Sequence, residues 1–102
     1  MDIFTLARQD NYLGVDFLLK AGAGPNDKDG FGRTALHICA TYGCEAVANV
    51  LLSNGADHSI QDYESGWTAL HRSLYFKHLN LTLLLIKYGA KLGDRCRSLN
   101  CN

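Results

Sequence analysis

Histidine and cysteine are the side chains of this sequence best equipped for chemistry. His37 and His71 could act as acid–base groups, and Cys39, Cys44, His58, His78, Cys96 and Cys101 could offer nitrogen and sulfur to zinc. The enzyme such a set would suggest is a small metal-dependent hydrolase, but the spacing does not support it. Cys96 and Cys101 form a C-x4-C pair with no second pair to complete a site. No serine or cysteine stands in a G-x-S-x-G elbow, and no G-x-x-x-x-G-K-[ST] loop is present to cradle phosphate. The expectation is a protein with no catalytic residues, no metal and no cofactor.

Charge and length narrow the classes further. The 102 residues carry ten Lys plus Arg and ten Asp plus Glu, so no net charge draws the chain to phosphate backbones or anionic lipid. Nucleic acid and membrane surfaces are therefore not expected partners. The longest apolar run, Leu81 to Ile86, is interrupted by Thr82 and is far shorter than the roughly 20 residues of a membrane helix. Asp2, Arg8, Gln9 and Asp10 break up the amino terminus, unlike a secretory signal. The location expected on this basis is intracellular, cytoplasmic or nuclear. The four cysteines are then read as free thiols, and the Asn80-Leu81-Thr82 acceptor pattern as accidental.

The elements that position these residues are set by repetition. Thr34-Ala35-Leu36-His37 recurs as Thr68-Ala69-Leu70-His71, 34 residues later. The same offset aligns Gly32 with Gly66, Leu51 with Leu85, Gly55 with Gly89 and Ala56 with Ala90. A shift of 33 carries Leu51, Leu52, Gly55 and Ala56 onto Leu18, Leu19, Gly22 and Ala23, which makes residues 3–26 a shortened first copy. The organisation expected is one domain over residues 1–93, with units of about 1–28, 29–61 and 62–93, followed by a loose tail over 94–102.

Each unit reads as helix, turn, helix and extended connection. Thr34 and Thr68 stand where an N-cap hydroxyl would accept from the free amides of a helix start. The first helices run to about Tyr42 and Phe76. Val47, Val50 and Leu51 follow the three-and-four spacing of a buried face, and the second helices stop at Asn54-Gly55 and Lys87-Tyr88-Gly89. Lys77 occupies the place of Gly43, so the third unit's turn must avoid positive φ or accept strain. The connections Asp29-Gly30-Phe31-Gly32 and Asp62-Tyr63-Glu64-Ser65-Gly66 are rich in turn formers, with one residue extra in the second.

The period and the T-A-L-H tetrapeptides resemble the ankyrin-repeat family, whose signature is T-P-L-H-x-A. Ala35 and Ala69 stand in place of the proline, and their helix propensity lets the helix start there. The resemblance implies an all-α solenoid of about three helix-turn-helix units joined by hairpin-like loops. It also implies a concave binding surface made by fingertip loops and first helices. At the signature position His37 and His71 would bond locally and link neighbouring units, making Thr34, His37, Thr68 and His71 structural. Residues 30–92, most sharply Glu64 to Ser73, are similar to the amino-terminal ankyrin pair of the inhibitor of Bruton's tyrosine kinase family. That likeness raises an alternative, the ankyrin part or a shortened relative of a cullin ubiquitin-ligase substrate adaptor. The propeller and ligase-recruiting domains of such adaptors are not in these 102 residues.

On the concave side the resemblance places Trp67, with Arg33 as its counterpart one unit earlier. Indole area and a single N–H make Trp67 a candidate anchor, and packing against the neighbouring unit is its other reading. Tyr42, Tyr75 and Phe76 end the first helices, while Phe31 and Glu64 belong to the fingertips. Together these seven residues outline an amphipathic groove suited to a protein or peptide. Leu79 and Leu83, one helical turn apart, replace the Glu45 and Asn49 of the second unit. They predict a second apolar patch, open to a further repeat, another domain or a partner, or covered by residues 93–102. A short first unit and an uncapped last one predict a marginal fold that is stabilised by binding.

Overall fold

The N-terminal aspartate, asparagine and threonine residues decide where most helices begin. In the computed structural model, which describes residues 2–91, Asp2 accepts from the Thr5 amide to open α1 (Ile3–Arg8). Asn11 accepts from the Gly14 amide to open α2 (Tyr12–Lys20). Thr34 and Thr68 precede α3 (Ala35–Tyr42) and α5 (Ala69–Tyr75), and each is followed, after a turn, by α4 (Glu45–Ser53) or α6 (Leu79–Lys87). The described residues hold six helices and no strand, arranged as three helix-turn-helix units. The expected tail over 94–102, with Cys96 and Cys101, lies outside them.

First helices stack on first helices and second on second. Thus α1 packs on α3 and α3 on α5 in one layer, while α2 packs on α4 and α4 on α6 in the other. The core runs continuously between the layers through Leu6, Val15, Leu36, Val47, Leu51, Leu70, Leu81 and Leu85. Of the expected face of α4, Val47 and Leu51 are fully buried and Val50 is half-buried. Removing such surface from water is worth about 25 cal/mol per Å², and no single unit has enough of it to fold alone.

The turn between paired helices is left-handed in every unit. Gly43 has φ +75°, and its counterparts Asp10 and Lys77 have φ +54° and +63°. Lys77 thus keeps the backbone shape of Gly43 and accepts the strain that a Cβ brings there. The register explains why. In the second unit the Gly43 and Cys44 amides both donate to the Cys39 carbonyl, closing the helix end, and His78 donates to Ser73 at the matching place in the third. Gly55 and Gly89, with φ +86° and +101°, end the second helices as their sequence placement predicts.

Candidate functional site

Two fingertips, built from an aspartate each, project from the helical layers. In the second unit Asp29 Oδ1 accepts from the amides of Phe31 and Arg33, both at 2.9 Å, and Oδ2 receives Arg33 Nε at 2.8 Å. The Asp29 amide donates to the Arg33 carbonyl across the loop mouth. In the third unit Asp62 Oδ1 accepts from Ser65 at 2.8 Å, Gly66 at 2.9 Å and Trp67 at 3.4 Å, spreading over the extra residue. Neighbouring fingertips are tied by the Tyr63 amide, which donates to the Phe31 carbonyl at 3.0 Å. The Tyr63 ring lies on Gly32, where any Cβ would collide with it and φ is +75°. This close approach gives the fingertip glycine its purpose.

The cation that satisfies the second aspartate comes from elsewhere. Arg72, on α5, reaches Asp62 Oδ2 at 2.6 Å and donates to Thr41 Oγ1 of the preceding unit at 3.1 Å. Burial opposes ionisation of Asp62, but the Arg72 and Ser65 hydrogen bonds and the Arg72 charge outweigh it and hold the carboxyl at about 2. Asp29 is lowered in the same sense, burial again opposing and the Arg33 bonds prevailing. Sequence reasoning did not single out Asp62, Arg72 or Thr41 as a connected set. A signal was present: position 67 exchanges arginine for tryptophan while position 72 brings arginine where the second unit has the buried Ile38.

The histidines hold structure. The Thr34 amide donates to His37 Nδ1 at 3.0 Å, so that nitrogen is the acceptor, and Nε2–H donates to the Trp67 carbonyl at 2.8 Å in the next unit. Burial lowers the His37 pKa and favours this neutral form. In the other direction the His37 amide donates to Thr34 Oγ1, so histidine takes the place of glutamate in a capping box. The second box is looser, with 3.4 Å from the Thr68 amide to His71 Nδ1 and 2.7 Å between that nitrogen and the Thr68 hydroxyl. The link between units that the signature histidine implies is thus present at His37. Burial pushes the Cys39 thiol well above its ordinary pKa and raises that of Cys44, keeping both as thiols.

The seven groove residues divide. Trp67, Tyr75 and Phe76 form one aromatic run, with centroids 5.2 Å and 5.0 Å apart, and the Trp67 ring also stacks on His71 at 6.5 Å. Arg33 lies over the Phe31 ring at 5.0 Å, forming a smaller pair on the fingertip. Tyr42 is exposed at the end of α3 and Glu64 on the third-unit fingertip, and no ring contact or ion pair joins either to these groups among the described residues. Trp67 is half-buried, and its Nε1–H finds no acceptor among the described residues, whereas Tyr75 is 64% exposed. The Trp67 ring packs on His71 and Tyr75 of its own unit, and not on a ring of the neighbouring one among the described residues. Leu79 and Leu83 are exposed on α6, as their places in the sequence predict.

The geometry offers surfaces for contact. Among the described residues no three His, Cys, Asp or Glu side chains converge as a metal site would require, and no helix is long and apolar enough to cross a membrane. Comparison with known proteins agrees on the kind of fold. The family model "Ankyrin repeats (3 copies)" matches residues 3–96. Inhibitor of Bruton tyrosine kinase from Xenopus laevis is 47% identical over 66 residues, and that of Homo sapiens 45% over 65, each alignment covering 64% of this chain and 5% of the relative. BTB/POZ domain-containing protein 1 of Schizosaccharomyces pombe is 44% identical over 62 residues, again 5% of its length. The chain thus spans about a twentieth of the length of these curated relatives.

Proposed function

The chain belongs to the ankyrin-repeat family, a family of protein-interaction modules, and from that premise we propose that it binds a protein or peptide segment on its concave side without catalysis. The observation that carries this reading is the Trp67–Tyr75–Phe76 run. Tyr75 touches both the Trp67 and the Phe76 ring, which restricts the exposed Tyr75 and Phe76 side chains and leaves less rotamer freedom to be lost on binding. To Phe31 with Arg33, and to the exposed Tyr42 and Glu64, we assign the mixed polar and apolar rim of the same protein-binding surface. Because Arg33 is already engaged by Asp29, the aromatic faces, and not free positive charge, dominate what a partner meets.

Interaction capture with the wild type, a Tyr75→Ala, Phe76→Ala variant and a Trp67→Ala, Tyr75→Ala variant tests the site. Loss of the same partners from both variants, with helical circular dichroism retained, is the expected result; unchanged recovery overturns it. A second reading is that the chain acts as the ankyrin part, or a shortened relative, of a larger ubiquitin-ligase adaptor. The 45–47% identity to inhibitor of Bruton tyrosine kinase and the BTB/POZ name of the yeast relative favour it. Coding sequence continuing past Asn102 into propeller and BTB segments would support that reading, and a stop codon there would remove its first form and leave the shortened relative.

A further inference from the structure

The outer layer ends in two apolar faces that match each other in register. At the joint between the second and third units, Glu45 and Asn49 of α4 share a groove with Asn80, Leu83 and Leu84 of α6, Leu79 borders a second groove beside Glu45, and Asn80 Nδ2 lies 3.5 Å from Glu45 Oε2. Glu45 and Asn49 therefore border the joint with the succeeding unit, and Asn80 and Leu84 the joint with the preceding one, while Leu79 and Leu83, the counterparts of Glu45 and Asn49, also reach the rim of the preceding joint. Carried through the repeat, the successor-facing positions of α6 are Leu79 and Leu83, and the predecessor-facing positions of α2 are Leu13 and Phe17. These four are 68%, 64%, 69% and 71% exposed. Ile86 is 51% exposed where its counterpart Leu52, under the third unit, is 5% exposed.

We infer that the partner of the trailing face is the leading face of a second copy of this chain, stacked head to tail. A joint between copies that repeats the geometry of the internal one sets Leu79 against Leu13 and Leu83 against Phe17. The internal joint has Glu45 with Asn80 and Asn49 with Leu84 in those places, so the joint between copies is the more apolar of the two. Such a contact uses a different patch on each copy, and a solenoid repeat continued in this way stays open, giving chains of copies and not a closed dimer. The contact buries side chains that otherwise stand in water, which is the fate expected of an apolar patch at the end of a stack.

Sedimentation of the full chain over a wide concentration range, beside Phe17→Glu and Leu83→Glu, tests this. The wild type should exceed dimer mass at high concentration, while each variant, with one end blocked, should remain monomeric. An equal mixture should form a dimer and stop there, because Phe17→Glu keeps a working trailing end and Leu83→Glu a working leading end. Circular dichroism checks that both variants fold, and Phe17→Ser with Leu83→Ser replaces any that do not. A wild type that is monomeric throughout overturns the inference. So does a dimer that Leu83→Glu abolishes and Phe17→Glu leaves intact, which would mean that trailing faces pair with each other. Assembly that appears only after deletion of residues 92–102 also overturns it for the full chain, assigning the face to that segment.

Discussion

The fingertips of the second and third units place an aspartate alike and neutralise it differently. Asp29 takes its arginine from four residues away in the same loop, and the pair stays partly open to solvent. Asp62 takes Arg72 from a helix ten residues on, its own side chain is fully buried, and the same guanidinium continues to Thr41 of the unit before. One arrangement braces a loop; the other ties a loop, a helix and a neighbouring unit together. Moving the arginine also vacates the position before the threonine, which Trp67 fills. The aromatic run and the buried ion pair thus occur together in the third unit, and neither occurs at the matching places of the second.

Removing each arginine should separate the two designs most widely. Arg72→Ala leaves a buried carboxylate whose remaining partners are amides and the Ser65 hydroxyl, and should lower the free energy of unfolding by about 3 kcal/mol. Arg33→Ala, at a solvent-screened pair, should cost less than about 1 kcal/mol. Urea unfolding at neutral pH measures both, and equal losses would break the comparison.

Acid should act next in size. Because Asp62 is held at about 2 against an ordinary 3.8, its stabilisation is complete above about pH 4 and is lost as pH falls toward 2. The loss should amount to about 2 kcal/mol, and Arg72→Ala should flatten that limb of the pH profile. A shallower step belongs to His37, whose pKa is lowered from 6.5 by burial, so its contribution is present above pH 6.5 and declines as acid protonates it. Stability measured from pH 7 to pH 2 in His37→Gln should lack the upper step and keep the lower one.

The smallest effects lie in the turns. Gly43→Ala puts a Cβ at positive φ and 2.7 Å from His78 Nδ1, and should destabilise by about 1–2 kcal/mol. Lys77→Gly relieves the same backbone shape in the third unit and should stabilise by about 0.5 kcal/mol, the relief being partly offset by the added freedom of the unfolded chain. Thermal melts resolve both signs. A stabilising Gly43→Ala would show that the turns are not equivalent after all.

The helices, their glycine stops and the exposed leucines were readable in the sequence because each depends on residues close together in it or on one repeat offset. Thr34 and His37, three residues apart, build their box wherever the backbone turns helical. Leu79 and Leu83 stand out because their counterparts are polar. The Asp62–Arg72–Thr41 set was not readable in the same way. The extra fingertip residue shifts Asp62 out of the 34-residue register, and Thr41 contributes only a hydroxyl and a carbonyl that composition cannot rank. The Lys77 turn was visible as a conflict but not as an outcome, since sequence gives the cost of positive φ without the hydrogen bonds that hold the turn in place. The split of the seven groove residues needed side-chain positions.

Thr41 has a consequence of its own. Its hydroxyl receives Arg72 from α5, and its carbonyl lies 3.0 Å from Nε2 of His78, the residue that opens α6. Both helices of the third unit are thus fastened to one residue of the second, through its hydroxyl and its carbonyl, so a displacement of Thr41 loosens both anchorages together. Hydrogen exchange along α5 and α6 should therefore report a single opening event. In repeat terms the third unit should be lost whole or kept whole, with the cooperativity of its unfolding set one unit upstream of it.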